Sequence, residues 1–162
     1  MPYNPLLRNA TLTDVDAIAN VYLTSRKELV AFAPLVHNDE SIHQWIREVL
    51  LPTHQVMVAE ENGTIIGMMA LSKEEGIGRI KQLYLLPTAV GHGVGTLMII
   101  AAKSILGSPI QLYTFQENMG ARRFYERHGF QVIELDDGSG NEENCPAILY
   151  EWKAGILSRN SI

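Results

Sequence analysis

Residues 87–98 read PTAVGHGVGTLM, with glycine at 91, 93 and 95 and an apolar run behind them. The preceding segment, RIKQLYLL, has strand character, and the following one, up to Leu106, has helical spacing. Three side chains are therefore missing where a strand hands over to a helix. Without Cβ atoms a ligand can approach the backbone, and a helix N-terminus offers unpaired N–H groups and a positive dipole end. That combination suits a pyrophosphate. The glycines alone equally allow a flexible connection.

Two known phosphate loops do not fit. Gly95 is followed by Thr96 and Leu97, where a P-loop needs Lys and then Ser or Thr. A GxGxxG fingerprint would need glycine at 96, and the preceding strands read as a meander rather than the start of a βαβ unit.

On the N-terminal side, residues 5–10 read as a short strand. Thr13 and Asp16 have the spacing of a capping box ahead of a helix carrying Val15, Ile18, Ala19 and Tyr22 on one face. A second helix starts near Asn38 or Asp39, with Ile42, Trp45, Ile46, Val49 and Leu50 as its stripe and Pro52 beyond its end. HQVMVAEE, Asn62-Gly63 and TIIGMMAL form a hairpin on a type I′ turn. KEEGIG is a polar turn into the strand RIKQLYLL.

On the C-terminal side, Gly107 and Pro109 close the helix that starts near Gly93. QLYTF is a strand, NMGARRFYERHGF a short helix ended by Gly129, and QVIEL and AILYEW two closing strands. This order predicts an α/β (α+β) fold: a mixed, largely antiparallel central sheet of six to seven strands flanked by about four helices. The 162 residues fit one domain, 1–162, with a frayed tail over 154–162.

Composition narrows the function. The formal net charge of −5 argues against nucleic acid, whose phosphates need a basic face, but not against an anionic small ligand held by backbone N–H groups. Cys145 is the only cysteine, and the five histidines show no HExxH spacing, so no metal is expected. MPYNPLLRN lacks a signal pattern, and no apolar run reaches the ~18 residues of a membrane span. A cytoplasmic protein without a membrane partner is expected.

The run LYLLPTAVGHGVGTLMI resembles the acetyl-CoA motif of the GNAT (GCN5-related) N-acetyltransferases, written Q/R-x-x-G-x-G/A. NMGARRFYERHGF is similar to that family's next motif, and both stand in the family's order. The resemblance implies a GNAT-like sheet and acetyl-CoA as acyl donor. The backbone of Leu83, Tyr84 and Leu85 would pair with the pantetheine arm. The loop Gly91, His92, Gly93, Val94, Gly95 and Thr96 would bind the pyrophosphate. Asn118 would hold the pantetheine region, and Tyr125, seven residues on, would face the sulfur as general acid. One position departs: Val90 stands where the family has Gln or Arg, so phosphate binding rests on backbone groups.

Acetyl transfer to an amine needs that amine neutral, which for a lysine-like group at pH 7 costs about 4–5 kcal/mol. Some relatives carry a glutamate on the strand before Asn118; Tyr113 stands there here. Glu117, Glu142, Glu143, His37 and Asp39 stay open as bases. The loops VHND (36–39) and DDGSGNEEN (136–144) are expected to flank an acceptor cleft. In it His37, Asp39, Glu142 and Glu143 would meet a small-molecule or peptide amine, the acids drawing its ammonium form. A homodimer is compatible with this reading. The competing reading is a non-catalytic acyl-CoA-binding regulatory module of the same fold.

Overall fold

The computed structural model describes residues 3–155. Turn chemistry sets the first half of the sheet. β1 (Leu6–Asn9) pairs with β2 (Gln55–Glu61), and β2 returns as β3 (Thr64–Glu74) through Asn62 at φ 51° and Gly63 at φ 81°. Two left-handed residues in succession are what a type I′ turn requires. Glu75 and Gly76, also at positive φ, send β3 into β4 (Ile77–Leu85).

The chain then crosses over through α4 (Val94–Leu106) to β5 (Ile110–Phe115) and passes along α5 (Met119–Arg127). It finishes with β6 (Gln131–Asp136) and β7 (Ala147–Trp152). All seven strands join one sheet in the order β1-β2-β3-β4-β5-β7-β6, and only β4 and β5 run parallel. The expected fold class and element order stand. Of the expected frayed tail, residues 156–162 lie outside the described residues, whereas the Ala154 N–H donates to Ser108 Oγ at 2.9 Å.

Each face of the sheet carries its own core. Val15–Leu29 (α1), Asp39–Trp45 (α2) and the turn that follows α2 press Ile18, Val21, Ile42 and Ile46 against Val58 and Met68. On the other face α4 and α5 pack Met98, Ile99, Ala102 and Tyr125 against Met69, Ile110 and Tyr150. Met68 and Met69 are both fully buried, one in each core, as strand alternation demands.

Two helix ends differ from expectation. The capping contact before α1 is made by Asp14, not Asp16: Asp14 Oδ2 accepts the Thr11 N–H at 2.8 Å. The reason lies on β1, where Arg8 donates to both Asp14 oxygens, at 2.8 and 3.0 Å, and so fixes that carboxylate in place. Pro52 lies within α3 (Leu51–Thr53) rather than past the helix end. Between α2 and α3 the ladder widens into a π-helical stretch, Ile46–Leu50, with Leu51 N–H bonding back to Ile46. The ladder has thus shifted before it meets a residue with no N–H to place in it.

The feature that makes a site is a failure of pairing. β4 and β5 are in register only at Gly78–Ile110 and Arg79–Gln111. Just beyond, Lys81 is an extra residue in β4, because Ala70 opposes Gln82 while Leu71 opposes Ile80. A bulge of this kind bends and twists its strand. From there the two parallel strands diverge.

The Arg8–Asp14 clamp makes stability pH-dependent. The hydrogen-bonded Arg8 guanidinium holds the Asp14 carboxyl at about 2, below its ordinary 3.8. A depressed folded value stabilises above the ordinary value and is lost as pH falls through the folded one. Asp14→Asn is therefore expected to cost about 1–3 kcal/mol at neutral pH. In thermal melts its deficit against wild type should shrink between about pH 4 and about pH 2.

Candidate active site: a cleft between two diverging strands

Two cavities meet at the divergence, one of about 870 Å³ lined by α1, α2 and the loop before β7, the other of about 920 Å³ lined by α4, α5 and the end of α1. They share Lys81, Gln82, Tyr84, Tyr113, Thr114 and Phe115, the residues where β4 and β5 have parted. The sheet is thus perforated rather than merely grooved.

Ladder alternation decides which β4 groups face the gap. Leu86 N–H bonds to Ile66 at 2.8 Å, and Tyr84 and Gln82 share its parity opposite Met68 and Ala70. Their backbone groups point to β3, while those of Leu83 and Leu85 point into the divergence, where no strand receives them. Of the three residues expected to lend backbone here, Tyr84 turns its N–H away. It contributes its ring instead, edge-on to Tyr22 at 5.0 Å on the α1 side.

The three glycines have two different reasons. Gly91 and Gly93 sit at φ 84° and 83°, in the left-handed region, and a Cβ on either would meet nothing within 4 Å. Their need is conformational, and the space beside them is open. Gly95 lies inside α4, where a Cβ would come within 3.0 Å of two Phe124 ring atoms. It is there to let α4 and α5 approach, not to admit a ligand. The Leu97 N–H is the first to close on Gly93, at 3.2 Å, which leaves Val94, Gly95 and Thr96 with N–H groups that have no intrahelical acceptor. The Val94 side chain is buried in the core, and the Thr96 hydroxyl meets His128 Nε2 at 3.1 Å. His92 stacks on Tyr3, ring centroids 4.6 Å apart, and Val90 stands half exposed beside the cavity.

Asn118 caps α5, its Oδ1 accepting the Ala121 N–H at 3.1 Å, and it lines the cavity. Tyr125 lines the same cavity with its ring buried between Phe124, Phe130 and Tyr150. Among the described residues its hydroxyl has no hydrogen-bond partner. Burial, and then the neighbouring Tyr84, push that phenol well above its ordinary value. Arg123 and Arg127 line this cavity too, whereas Arg122 donates to the Gln116 carbonyl at 3.1 Å.

On the opposite side three of the four expected acceptor residues converge. His37 Nε2 lies 3.0 Å from Glu142, and Glu143 lies 3.7 Å from Arg26, all lining the second cavity. Asp39 does not line it and pairs with Lys27 at 3.5 Å. Glu117 borders the α4/α5 cavity. No group of three or more metal-ligating side chains gathers among the described residues. Arg26, Tyr22 and Phe115 escaped the sequence reading. The signal for Arg26 was present: the α1 stripe of Val15, Ile18, Ala19 and Tyr22 continues by helical spacing onto Arg26, a charge on the buried face.

The distinction among the glycines is testable. Gly95→Val should destabilise by about 1–3 kcal/mol through overpacking against Phe124, and Phe124→Leu in the same chain should recover much of it. Gly93→Ala meets no atoms, so Phe124→Leu should not change its effect. Double-mutant cycles in denaturant melts separate the two.

Comparison with known proteins agrees with this geometry. Residues 20–130 match the acetyltransferase (GNAT) family. An uncharacterized N-acetyltransferase of Archaeoglobus fulgidus is 29% identical, over 84% of this chain and 99% of its own. Another from Methanocaldococcus jannaschii, MJ1207, is 26% identical over 82% of this chain, which spans 63% of that protein. Among solved structures, the PaiA N-acetyltransferase of Thermoplasma acidophilum in complex with coenzyme A superposes with a TM-score of 0.73 at 21% identity. The match covers 93% of this chain and 99% of PaiA. The perforated sheet, the glycine-led helix and the matched sequence together place this chain in the GNAT family of acetyltransferases.

Proposed function

We propose that the protein is an acetyl-CoA-dependent N-acetyltransferase acting on a primary amine of a small molecule or peptide, by direct transfer within a ternary complex. One observation carries this reading: two cavities, one against α2 and the 136–144 loop and one against α4 and α5, meet where β4 and β5 part. Donor and acceptor can approach from separate sides without exchanging places.

The α4/α5 side fits acetyl-CoA. The left-handed Gly91 and Gly93 leave open space, and beside it Val94, Gly95 and Thr96 present N–H groups suited to a pyrophosphate. The free edge at Leu83 and Leu85 supplies a strand-like partner for the pantetheine amides. Arg123 and Arg127 border the outer end of the cavity and are the cations nearest to hand for a further phosphate. Acetyl-CoA supplies the acetyl group as a thioester. A β4 N–H facing the gap is placed to polarise its carbonyl by oxyanion-hole logic.

Tyr125 would protonate the departing thiolate. Its phenol is held in the neutral form by burial, and among the described residues its hydroxyl has no hydrogen-bond acceptor. Asn118, fixed as the cap of α5, would orient the arm beside it. Among the described residues no helix is long and apolar enough to cross a membrane.

Acetyl-CoA, but not NAD or ATP, is expected to raise the melting temperature, and a panel of amines should release free thiol from it. Tyr125→Phe keeps the ring and deletes only the donor. It should lower kcat by about 10²–10⁴-fold with coenzyme affinity unchanged. Wild-type kcat in that variant, with chemistry rate-limiting, would remove Tyr125 from the mechanism.

A further inference from the structure

Among the described residues Arg26, Arg79 and Arg122 each hold a buried Nε with no hydrogen-bond partner, and of these three Arg26 lines a cavity. Its side chain is 3% exposed, on the buried face of α1, and it lines the cavity on the acceptor side. Nη1 donates to the Tyr22 hydroxyl and Nη2 to the Pro34 carbonyl, both at a long 3.2 Å. Nε is buried with no hydrogen-bond partner. The carboxylate paired with it, Glu143, stops 3.7 Å from Nη1, beyond hydrogen-bonding range. A buried guanidinium normally has its donors met, because an incompletely paired buried charge is costly.

Glu143 stands on a loop that is braced from within. Asn141 brackets Cys145, donating to its carbonyl at 2.8 Å and accepting its N–H at 3.1 Å. Gly138, at φ 86°, packs so tightly on Cys145 and Pro146 that a Cβ would overlap their backbone. The loop therefore holds Glu143 near Arg26 but short of it.

We infer that Arg26 is the carboxylate-binding residue of the acceptor site, so that the acceptor is a free amino acid carrying amine and carboxylate in one small molecule. This rests on the acetyl-transfer reading above and names its substrate class. The planar fork of Nε and Nη matches a carboxylate in two-point contact. A phosphate dianion is disfavoured, because Glu48, Asp136, Glu142 and Glu143 line the same cavity. The distance suits a short molecule. The Arg26 guanidinium carbon is 5.9 Å from the Phe115 ring centroid, and Phe115 lines both cavities. A carboxylate on Arg26 would thus leave the amine one side chain from the gap. The substrate carboxylate replaces that of Glu143, which acts as an internal competitor. Of the acids expected to attract an ammonium, Glu142 lies 3.0 Å from His37, Glu143 lies 3.7 Å from Arg26, and Asp39 stands outside this cavity.

The test uses the common L-amino acids, their α-carboxamides and phosphoethanolamine, each with acetyl-CoA. Thiol release is measured, as is calorimetric binding to the coenzyme A-loaded protein. At least one amino acid should be bound, with its amide about 10- to 100-fold weaker. Arg26→Gln should erase that difference while coenzyme A still binds. Glu143→Gln, a second variant that leaves Arg26 in place, should tighten amino-acid binding several-fold. Amides equal to acids, a preference for phosphoethanolamine, weaker amino-acid binding in Glu143→Gln, or no amino acid bound at all would each overturn the inference. If amino acids bind through Arg26 yet no thiol is released, the inference stands and the acetyl-transfer reading fails.

Discussion

The parallel pairing of β4 with β5 covers two residue pairs and then stops. Around it the neighbours are antiparallel, with bulges at Ala59/Glu60 and Val132/Glu134, and each face of the sheet carries helices over a buried core. The interruption costs backbone hydrogen bonds, and it is stable because the flanks are strong. β4 keeps its ladder with β3 on both sides of the Lys81 bulge, and β5 keeps a six-residue ladder with β7. What is left unpaired is a strand edge inside the molecule rather than at its rim. An internal edge of this kind can accept an extended ligand without inviting aggregation.

Much of this was legible because the chain announces its turns. Asn62-Gly63 could only be a tight hairpin, and the switch from strand to helix period around Gly91–Gly95 placed the crossover. The divergence itself was not legible. It depends on a single extra residue at Lys81, and nothing in RIKQLYLL marks one residue as surplus. For the same reason the backbone roles of Leu83, Tyr84 and Leu85 could be named only as a group. Parity along the strand is set by register, and register is a property of the pair. The glycines teach a related lesson: Gly93 and Gly95 look alike in sequence, yet one satisfies a backbone angle and the other a ring on a different helix.

The acceptor side was the harder half. Loops 36–39 and 136–144 do come together, but Glu142 there lies against His37 and the largely buried Glu143 stands beside Arg26. Arg26 was hidden by its position within a helix that otherwise reads as amphipathic, and its importance comes from what surrounds it: Tyr22, Phe115 and a carboxylate held just out of reach. A buried charge with donors to spare is visible only once side chains are in place. Tyr84 ties the two sides together, since its ring stands with Tyr22 on the α1 side while its proximity adds to burial in raising the phenol of Tyr125.

The account stands on the claim that the free edge of β4 is the groove for the coenzyme. Amide hydrogen exchange resolved to single residues tests it most directly. Without ligand, the Tyr84 and Gln82 amides should already be protected by β3, and those of Leu83 and Leu85 should exchange faster. Saturating acetyl-CoA should slow exchange at Leu83 and Leu85, together with Val94, Gly95 and Thr96. Unchanged exchange at Leu83 and Leu85 while acetyl-CoA is bound would contradict the account, as would the same pattern with ATP.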